Sequence, residues 1–288
     1  MTESLISVII VTYNAAKTLR FAIDSVVSQN YQNIEMLIID GGSKDGSVEI
    51  VKNYGSRIAY FVSEKDGGIY DAMNKGIVAA KGEWVFFLGA DDILTTTDCI
   101  QDFFSQQEIS NSDFLYGDVM LKSNKKILGG SRTYRELIDR NICHQAIFYK
   151  KTVFTIEGLY DLQYKILADY DMNLRVFRNE ELIKKYLPIV ISVFNNKGGA
   201  SNITIDSKFF RNQMGYFINT DKLSPGDPAL QQYYFYNGIV NIFSGNRVRG
   251  LRQCIKSFAA GNRKIYFILV FVKFMFNKVG IGKKIKIV

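Results

Sequence analysis

Two adjacent carboxylates, Asp91 and Asp92, follow the run 83–88, apolar from Trp84 on, and the pair Gly89-Ala90. Neither carboxylate can be buried unpaired without a large cost. Together they suit a hard divalent cation, because Mg2+ or Mn2+ commonly takes one or two protein carboxylates and leaves its other positions to substrate phosphates. The alternative is a helix cap for the segment that begins near Thr95. Asp40 closes a second run, 34–39, apolar apart from Glu35, and precedes Gly41-Gly42, which leave room for a ligand against the backbone. It reads either as an acceptor for a base or ribose donor or as a plain turn residue. The segment from Asp66 to Gly76 opens a helix whose free N–H groups could face an anion. Lys75 then either adds positive charge or is simply solvated. Asp169 and Asp171 lie two apart in a helical segment, so they point to different faces and at most one faces a site. There it would serve as a general base; otherwise each is a cap or surface residue. His144, the only histidine, is a packed residue or a member of the site.

Several chemistries are excluded by count. One histidine cannot build a zinc site that needs two or three imidazoles. Three widely spaced cysteines, Cys99, Cys143 and Cys254, exclude a disulfide scaffold and a thiolate metal site. No GxGxxG occurs, which counts against a nicotinamide dehydrogenase.

The elements that must position these residues are legible in the first ninety positions. Residues 7–12 (SVIIVT) form a continuous β-branched run, as expected of a strand buried on both faces. A helical spacing follows at 16–28, then a strand at 34–39, a short helix at 45–54, a strand at 58–62, a helix at about 70–80 and a strand at 83–88. Strand and helix in alternation predict a parallel sheet covered on both sides. Such sheets bind ligands at the carboxyl ends of their strands, where Thr12-Tyr13-Asn14, Asp40 and Asp91-Asp92 all fall. Further on, 114–121 reads as a strand, 145–149 as a short apolar segment and 169–177 as a helix. After Pro225-Gly-Asp-Pro228 the composition changes, and helices are expected at 229–244, 247–260 and 264–277.

Charge divides the chain as sharply. Residues 1–227 hold 25 Lys/Arg and all 28 Asp/Glu, whereas residues 228–288 hold 11 Lys/Arg and no acid. A single-sign block of this kind is an electrostatic device. The division predicts a catalytic domain at 1–225 and a basic helical region at 226–288. The start of the chain has no basic region ahead of an apolar one, so no secretory signal is expected. The apolar stretch 265–276 would span roughly 18 Å as a helix, well short of the ~30 Å hydrocarbon core. The tail reads either as a membrane-surface attachment, its cations drawn to anionic lipid, or as a helical subdomain with solvated charges. A nucleic-acid partner is not expected, since no binding module accompanies the block.

The segments SVIIVTYN at 7–14, IIDGGSKDGS at 38–47, DGGIYDAMNKGI at 66–77, LGADD at 88–92 and ADYDMNLR at 168–175 occur in order. Together they resemble family-2 glycosyltransferases of the GT-A fold, a Rossmann-like nucleotide-binding α/β fold with a mostly parallel central sheet, and in particular bacterial enzymes of polysaccharide assembly. The resemblance covers roughly residues 5–200. It implies that Thr12 and Tyr13 lie along the nucleotide base, that Asp40 accepts a hydrogen bond from it, and that Asp71, Lys75 and His144 belong to the nucleotide-sugar site. It further implies that Asp91 lies nearer the ribose and Asp92 nearest a Mn2+ or Mg2+ ion. Asp169 matches the family's general base, with Asp171 as alternate because Ala168 stands where the family often has Glu.

The activity so implied is an inverting, metal-dependent transfer of one sugar. The donor would be a nucleoside-diphosphate sugar, most commonly a UDP-sugar, and the acceptor a polyprenyl-diphosphate-linked glycan. Capsule, O-antigen or exopolysaccharide synthesis would be the setting, on the cytoplasmic face of the cell membrane. The Gln-x-x-Arg-Trp segment of processive synthases is absent, and the only tryptophan, Trp84, lies in a core strand. The competing expectations are a nucleotidyltransferase, disfavoured because residues 1–16 contain no Lys or Arg, and a non-catalytic nucleotide-sugar-binding scaffold.

Overall fold

The computed structural model describes residues 4–106, 109, 111–196, 204–260, 268–269, 272 and 286–287. In chain order the strands begin with β1 (Ile6–Thr12), β2 (Ile34–Asp40), β3 (Tyr60–Ser63), β4 (Trp84–Gly89) and β5 (Ile93–Leu94). They continue with β6 (Phe114–Leu121), β7 (Ile127–Leu128), β8 (Ile147–Lys150), β9 (Lys184–Phe194), β10 (Thr204–Ile205) and β11 (Lys286–Ile287). The helices are α1 (Leu19–Val27), α2 (Ser47–Lys52), α3 (Ile69–Ala79), α4 (Cys99–Phe104) and α5 (Tyr134–Asp139). They are followed by α6 (Lys151–Ile156), α7 (Ala168–Arg178), α8 (Ser207–Asn219), α9 (Gln231–Phe243) and α10 (Arg247–Ala260). Contacts divide the chain into one unit of Met1–Arg132, Ile142–Leu162 and Met172–Gly198, and another of Thr133–Asn141, Gln163–Asp171 and Gly199–Val288.

The first unit is built on a nine-stranded sheet ordered β3-β2-β1-β4-β8-β6-β9-β5, with β7 paired to β6. From β3 to β4 every pairing is parallel, with Thr12 opposite Asp40 and Val11 opposite Gly89. β8 runs antiparallel to both β4 and β6, and β9 returns parallel to β6. All seven residues of β1 are buried, as a strand in the middle of a sheet covered on both faces must be. α3 comes close to β1 at Gly76, where a Cβ would lie 2.6 Å from Ile9 Cγ2. An aromatic seam of Phe86, Phe103 and Phe148 fills the core beneath β4 and β8, with Phe86 and Phe148 centroids 4.6 Å apart.

The expected strands and helices of the first ninety residues all form, their ends shifted by at most three residues. Strand β9 was not anticipated. Its run YLPIVISVF carries Pro188, which cannot donate to a ladder and so argues against a central strand. The register between β6 and β9 shifts in this stretch, from Tyr116–Tyr186 to Asp118–Val190, and Pro188 falls inside the irregularity.

The second unit is mainly helical. Its aromatic core joins Phe209 to Tyr164 at 5.7 Å and to Tyr170 at 5.1 Å, and Phe217 to Tyr233 at 5.0 Å. α9 and α10 cross at glycines, since a Cβ on Gly238 would lie 2.9 Å from the Gly250 carbonyl oxygen. α9 and α10 match the expected helices at 229–244 and 247–260. Of the third, at 264–277, residues 268, 269 and 272 are described and helical; the rest of that expectation lies outside the described residues. Among the described residues no helix is long and apolar enough to cross a membrane.

Candidate functional site

The carboxyl ends of β2, β1 and β4 lie side by side, about 10 Å across at the ordinary strand spacing. The loops that leave β1 and β2 are fastened to each other. Asn14, in a left-handed conformation (φ 49°), donates its N–H to Ser43 Oγ at 2.7 Å and accepts from the Lys44 N–H at 2.9 Å. Asp45 accepts from the Ala16 N–H at 2.9 Å, and the Ala15 N–H donates to Ser47 Oγ at 3.0 Å. Asn and Asp tolerate left-handed backbone and bond locally, which is why this crossing of loops uses them.

Asp40 is fully buried at the end of β2. Its carboxylate accepts from the Gly42 N–H at 3.1 Å, the Ser43 N–H at 2.9 Å, Ser63 Oγ at 2.6 Å and Ser43 Oγ. Four donors fill the approximately four lone-pair positions of a carboxylate, so Asp40 here shapes the 41–43 loop. Beside it, Thr12 Oγ1 is buried with no hydrogen-bond partner, an unmet cost on the order of 1–3 kcal/mol. Tyr13 is 66% exposed, and its ring edge and the Asp66 carboxylate meet over Gly41, where a Cβ would come 2.6 Å from Asp66 Oδ2.

Asp91 and Asp92 follow β4. Asp92 is 1% exposed, and a Cβ on Gly89 would collide with its Oδ2. Its Oδ2 accepts from Gln145 Nε2 at 2.8 Å and its Oδ1 from the Asn195 N–H at 2.7 Å, while Asn195 Nδ2 donates to Asp91 Oδ2 at 2.9 Å. Gln145 is itself held, its Oε1 by Cys143 Sγ at 2.8 Å and its carbonyl by Ser192 Oγ at 2.7 Å. Burial pushes the Asp92 carboxyl above the usual range, and the Asp91 charge adds to this. The Asn195 N–H, Gln145 and the nearby His144 act against that shift. His144 opens the short 3-10 turn His144–Ala146, next in the chain to the Gln145 that bonds Asp92.

The 66–75 segment is more self-contained than its composition suggests. The Gly67 N–H donates to Asp71 Oδ2 at 2.8 Å and the Gly68 N–H to Asp66 Oδ1 at 2.9 Å, so two amides ahead of α3 are already taken. Lys75 pairs with Glu64 at 2.7 Å and reaches Asp71 at 3.8 Å. The Glu64 hydrogen bond raises the Lys75 pKa, ahead of the opposing effect of burial.

Asp169 and Asp171 belong to the second unit, in the first turn of α7. Asp169 is buried and accepts from Asn141 Nδ2 at 3.1 Å. Asp171 is buried too and accepts from Gln213 Nε2 of α8 at 2.6 Å. The two carboxylates therefore have different neighbours, as their separation by two on a helix requires.

The acidic pair fits a divalent cation. Both residues offer hard oxygen donors with lone pairs beyond those their hydrogen bonds occupy. A cation would also relieve the burial and mutual repulsion that raise the Asp92 pKa. Among the described residues no group of three or more His, Cys, Asp or Glu is placed to hold a metal. A site of this kind leaves most coordination positions to water and phosphate oxygens.

Gln145 and Asn195 were not picked out from the sequence as site residues. They lie 53 and 103 positions from Asp92, and only the sheet order brings them there. One local signal existed for Asn195, a polar pair directly after the apolar run that forms β9.

The family model described as Glycosyl transferase family 2 matches residues 7–157. A "PGL/p-HBAD biosynthesis glycosyltransferase" of Mycobacterium bovis is 39% identical over 219 residues, which cover 73% of this chain and 84% of that protein. Among solved structures, Staphylococcus aureus TarS in complex with UDP-GlcNAc aligns with a TM-score of 0.65 and 17% identity, over 88% of this chain and 79% of that one. The mannosyltransferase PcManGT of Pyrobaculum calidifontis, in complex with GDP-Man and Mn2+, aligns with a TM-score of 0.58 and 15% identity, over 96% and 81%. At such identities the structural likeness speaks for the GT-A fold alone.

Proposed function

Because the chain belongs to glycosyltransferase family 2, we propose that this glycosyltransferase moves one hexosyl or N-acetylhexosaminyl residue, with inversion, from a nucleoside-diphosphate sugar. The acceptor in this reading is a lipid-linked glycan of capsule, O-antigen or exopolysaccharide assembly. A UDP-sugar is the preferred donor, in keeping with the UDP-GlcNAc in the TarS complex. The Mycobacterium bovis relative is named for PGL/p-HBAD biosynthesis, so the acceptor is the part of the reading that rests on the sequence resemblance alone.

The observation that carries the proposal is the acidic pair at the carboxyl end of β4, held rigidly by Gln145 and Asn195. Asp92, with Asp91, would hold Mn2+ or Mg2+, and that ion, when bound, would neutralise charge growing on the departing diphosphate. Thr12, Tyr13 and the loop shaped by Asp40 receive the nucleoside. Asp91 reaches its ribose, and Asp71, Lys75 and His144 complete the donor site. On the acceptor, Asp169 takes the hydroxyl proton as the oxygen attacks the anomeric carbon and the bond to the diphosphate oxygen breaks. A single base acting opposite the leaving group inverts the anomeric configuration. Asp171 keeps its hydrogen bond to Gln213 and serves α7.

Thermal-shift screening of nucleotide sugars with Mn2+, repeated with chelator, tests donor and metal together. Asp169→Asn should keep donor binding and lose turnover, and wild-type rates in that variant would remove the residue from the mechanism. The enzyme is further assigned to the cytoplasmic face of the membrane, attached through its basic C-terminal region.

A further inference from the structure

Helix α10 has two faces of different character. Gly250, Cys254 and Ser257 are buried, and Gly250 meets α9 across the close crossing with Gly238. The opposite face carries Val248, Leu251 and Ile255, which are 68%, 54% and 57% exposed. Their spacing at i, i+3 and i+7 places them in one stripe along the helix. On a water-facing helix that stripe would ordinarily be polar.

The stripe is flanked by cations. Arg247 borders it on one side and Arg252, Lys256 and Arg249 on the other, following the 100° step of the helix. The same four residues line an open cavity of about 740 Å³ floored in part by Tyr234. Lys256 Nζ stands 5.8 Å from the centre of the Tyr234 ring. Among the described residues none of the four pairs with a carboxylate, and no acidic residue occurs anywhere in 228–288. Ile268, Leu269 and Val272 are also exposed, at 50%, 64% and 41%.

We propose that the exposed face of α10 docks on an anionic phospholipid bilayer, with Val248, Leu251 and Ile255 entering the interface and Arg247, Arg249, Arg252 and Lys256 receiving headgroup phosphates. Charge complementarity selects this occupant: a row of apolar side chains bordered only by cations matches a surface that is apolar below and negative above. A protein partner of ordinary mixed charge has no use for a rim of one sign. The inference deepens the membrane-surface part of the reading above by placing a docking face on α10. It does not depend on the transfer chemistry.

The test is co-sedimentation of the full chain with vesicles of phosphatidylcholine alone, or with phosphatidylglycerol added, at low and moderate salt. Binding is expected only to the anionic vesicles and should weaken as salt rises. The triple variant Arg249→Gln, Arg252→Gln, Lys256→Gln should lose about a hundredfold in vesicle affinity, since each cation near such a surface contributes roughly a fivefold factor. Leu251→Ser with Ile255→Ser should lose at least about tenfold. Both variants change exposed positions, so circular dichroism and donor-sugar hydrolysis should match the wild type. Wild-type affinity in both variants would overturn the assignment to α10 while leaving membrane attachment through other residues standing. No vesicle binding by the wild type would overturn both. A wild-type dimer dispersed by the apolar variant, with no vesicle binding, would reassign the face to a second copy of the chain.

Discussion

Replacing Gln145 by leucine isolates the buried clamp on the acidic pair. The substitution keeps the bulk of the side chain and the backbone carbonyl that Ser192 Oγ binds, but removes the amide that donates to Asp92 Oδ2 at 2.8 Å. A hydrogen bond to a charged group is worth about 1.5–3 kcal/mol, and every ~1.4 kcal/mol is a factor of ten. The expected loss in Mn2+ affinity therefore lies between roughly tenfold and a hundredfold, the range usual for partners that orient metal ligands.

The effect carries a pH signature. Burial already raises the Asp92 pKa, and the Gln145 hydrogen bond is one of the interactions opposing that rise. Without it the carboxylate protonates at higher pH, so the acidic limb of the pH–rate profile moves upward. The deficit relative to wild type should narrow as pH increases, because the ionised form is restored. Calorimetric titration of Mn2+ with the nucleotide present, together with kcat/KM across pH, provides the measurement. A variant with unchanged Mn2+ affinity and an unshifted acidic limb would refute the claim that Gln145 orients Asp92 for the metal.

Asp92→Asn should abolish metal-dependent transfer, yet in metal-free protein it should raise Tm slightly near neutral pH. The folded pKa of Asp92 lies above its unfolded value, so between the two the native state binds more protons, and metal-free stability falls as pH rises through that window. That component of the Tm–pH curve should vanish in the variant, and an unchanged curve would count against the burial account. Gly76→Ala places a Cβ 2.6 Å from Ile9 Cγ2 and should cost about 1–3 kcal/mol, read from the urea midpoint; a neutral result would mean that α3 rides more loosely on β1. Lys75→Ala removes a largely exposed pair with Glu64 and should cost under about 1 kcal/mol in stability. Any large fall in donor affinity would then mark Lys75 as a donor contact.

What could be read in advance follows the range of the interactions. β1, β2 and β4 announce themselves because strands buried on both faces must be continuous apolar runs, and their carboxyl ends fix where Thr12, Asp40 and Asp91-Asp92 come together. β6 was legible for the same reason. β9 was hidden by Pro188, a local rule set aside by an irregular register that needs no N–H at that point. Polar partnerships were the least legible. That Asp40 is saturated by Ser43, Ser63 and two amides, that Lys75 is taken by Glu64, and that Asp171 answers to Gln213 all depend on three-dimensional neighbours. Composition revealed the basic block, but the burial of one face of α10 against α9 was needed to see which apolar residues are left outside.

The placement of the acidic pair has a physical consequence for order of binding. A carboxylate buried to 1% exposure with a neighbouring like charge is costly when alone. Gln145 and Asn195 offset part of that cost without neutralising it, since both donors are uncharged amides. The remainder is available to favour a cation, but with at most two carboxylates from the protein the cation needs further oxygen ligands. A nucleoside diphosphate supplies them. Metal and donor should thus bind with mutual reinforcement: Mn2+ affinity should rise by at least about tenfold when UDP is present, and UDP affinity should rise by the same factor with Mn2+, as linkage requires. Equal Mn2+ affinity with and without nucleotide, measured by calorimetry in both orders of addition, would show that the metal is held by the protein alone and that the two carboxylates are not an incomplete site.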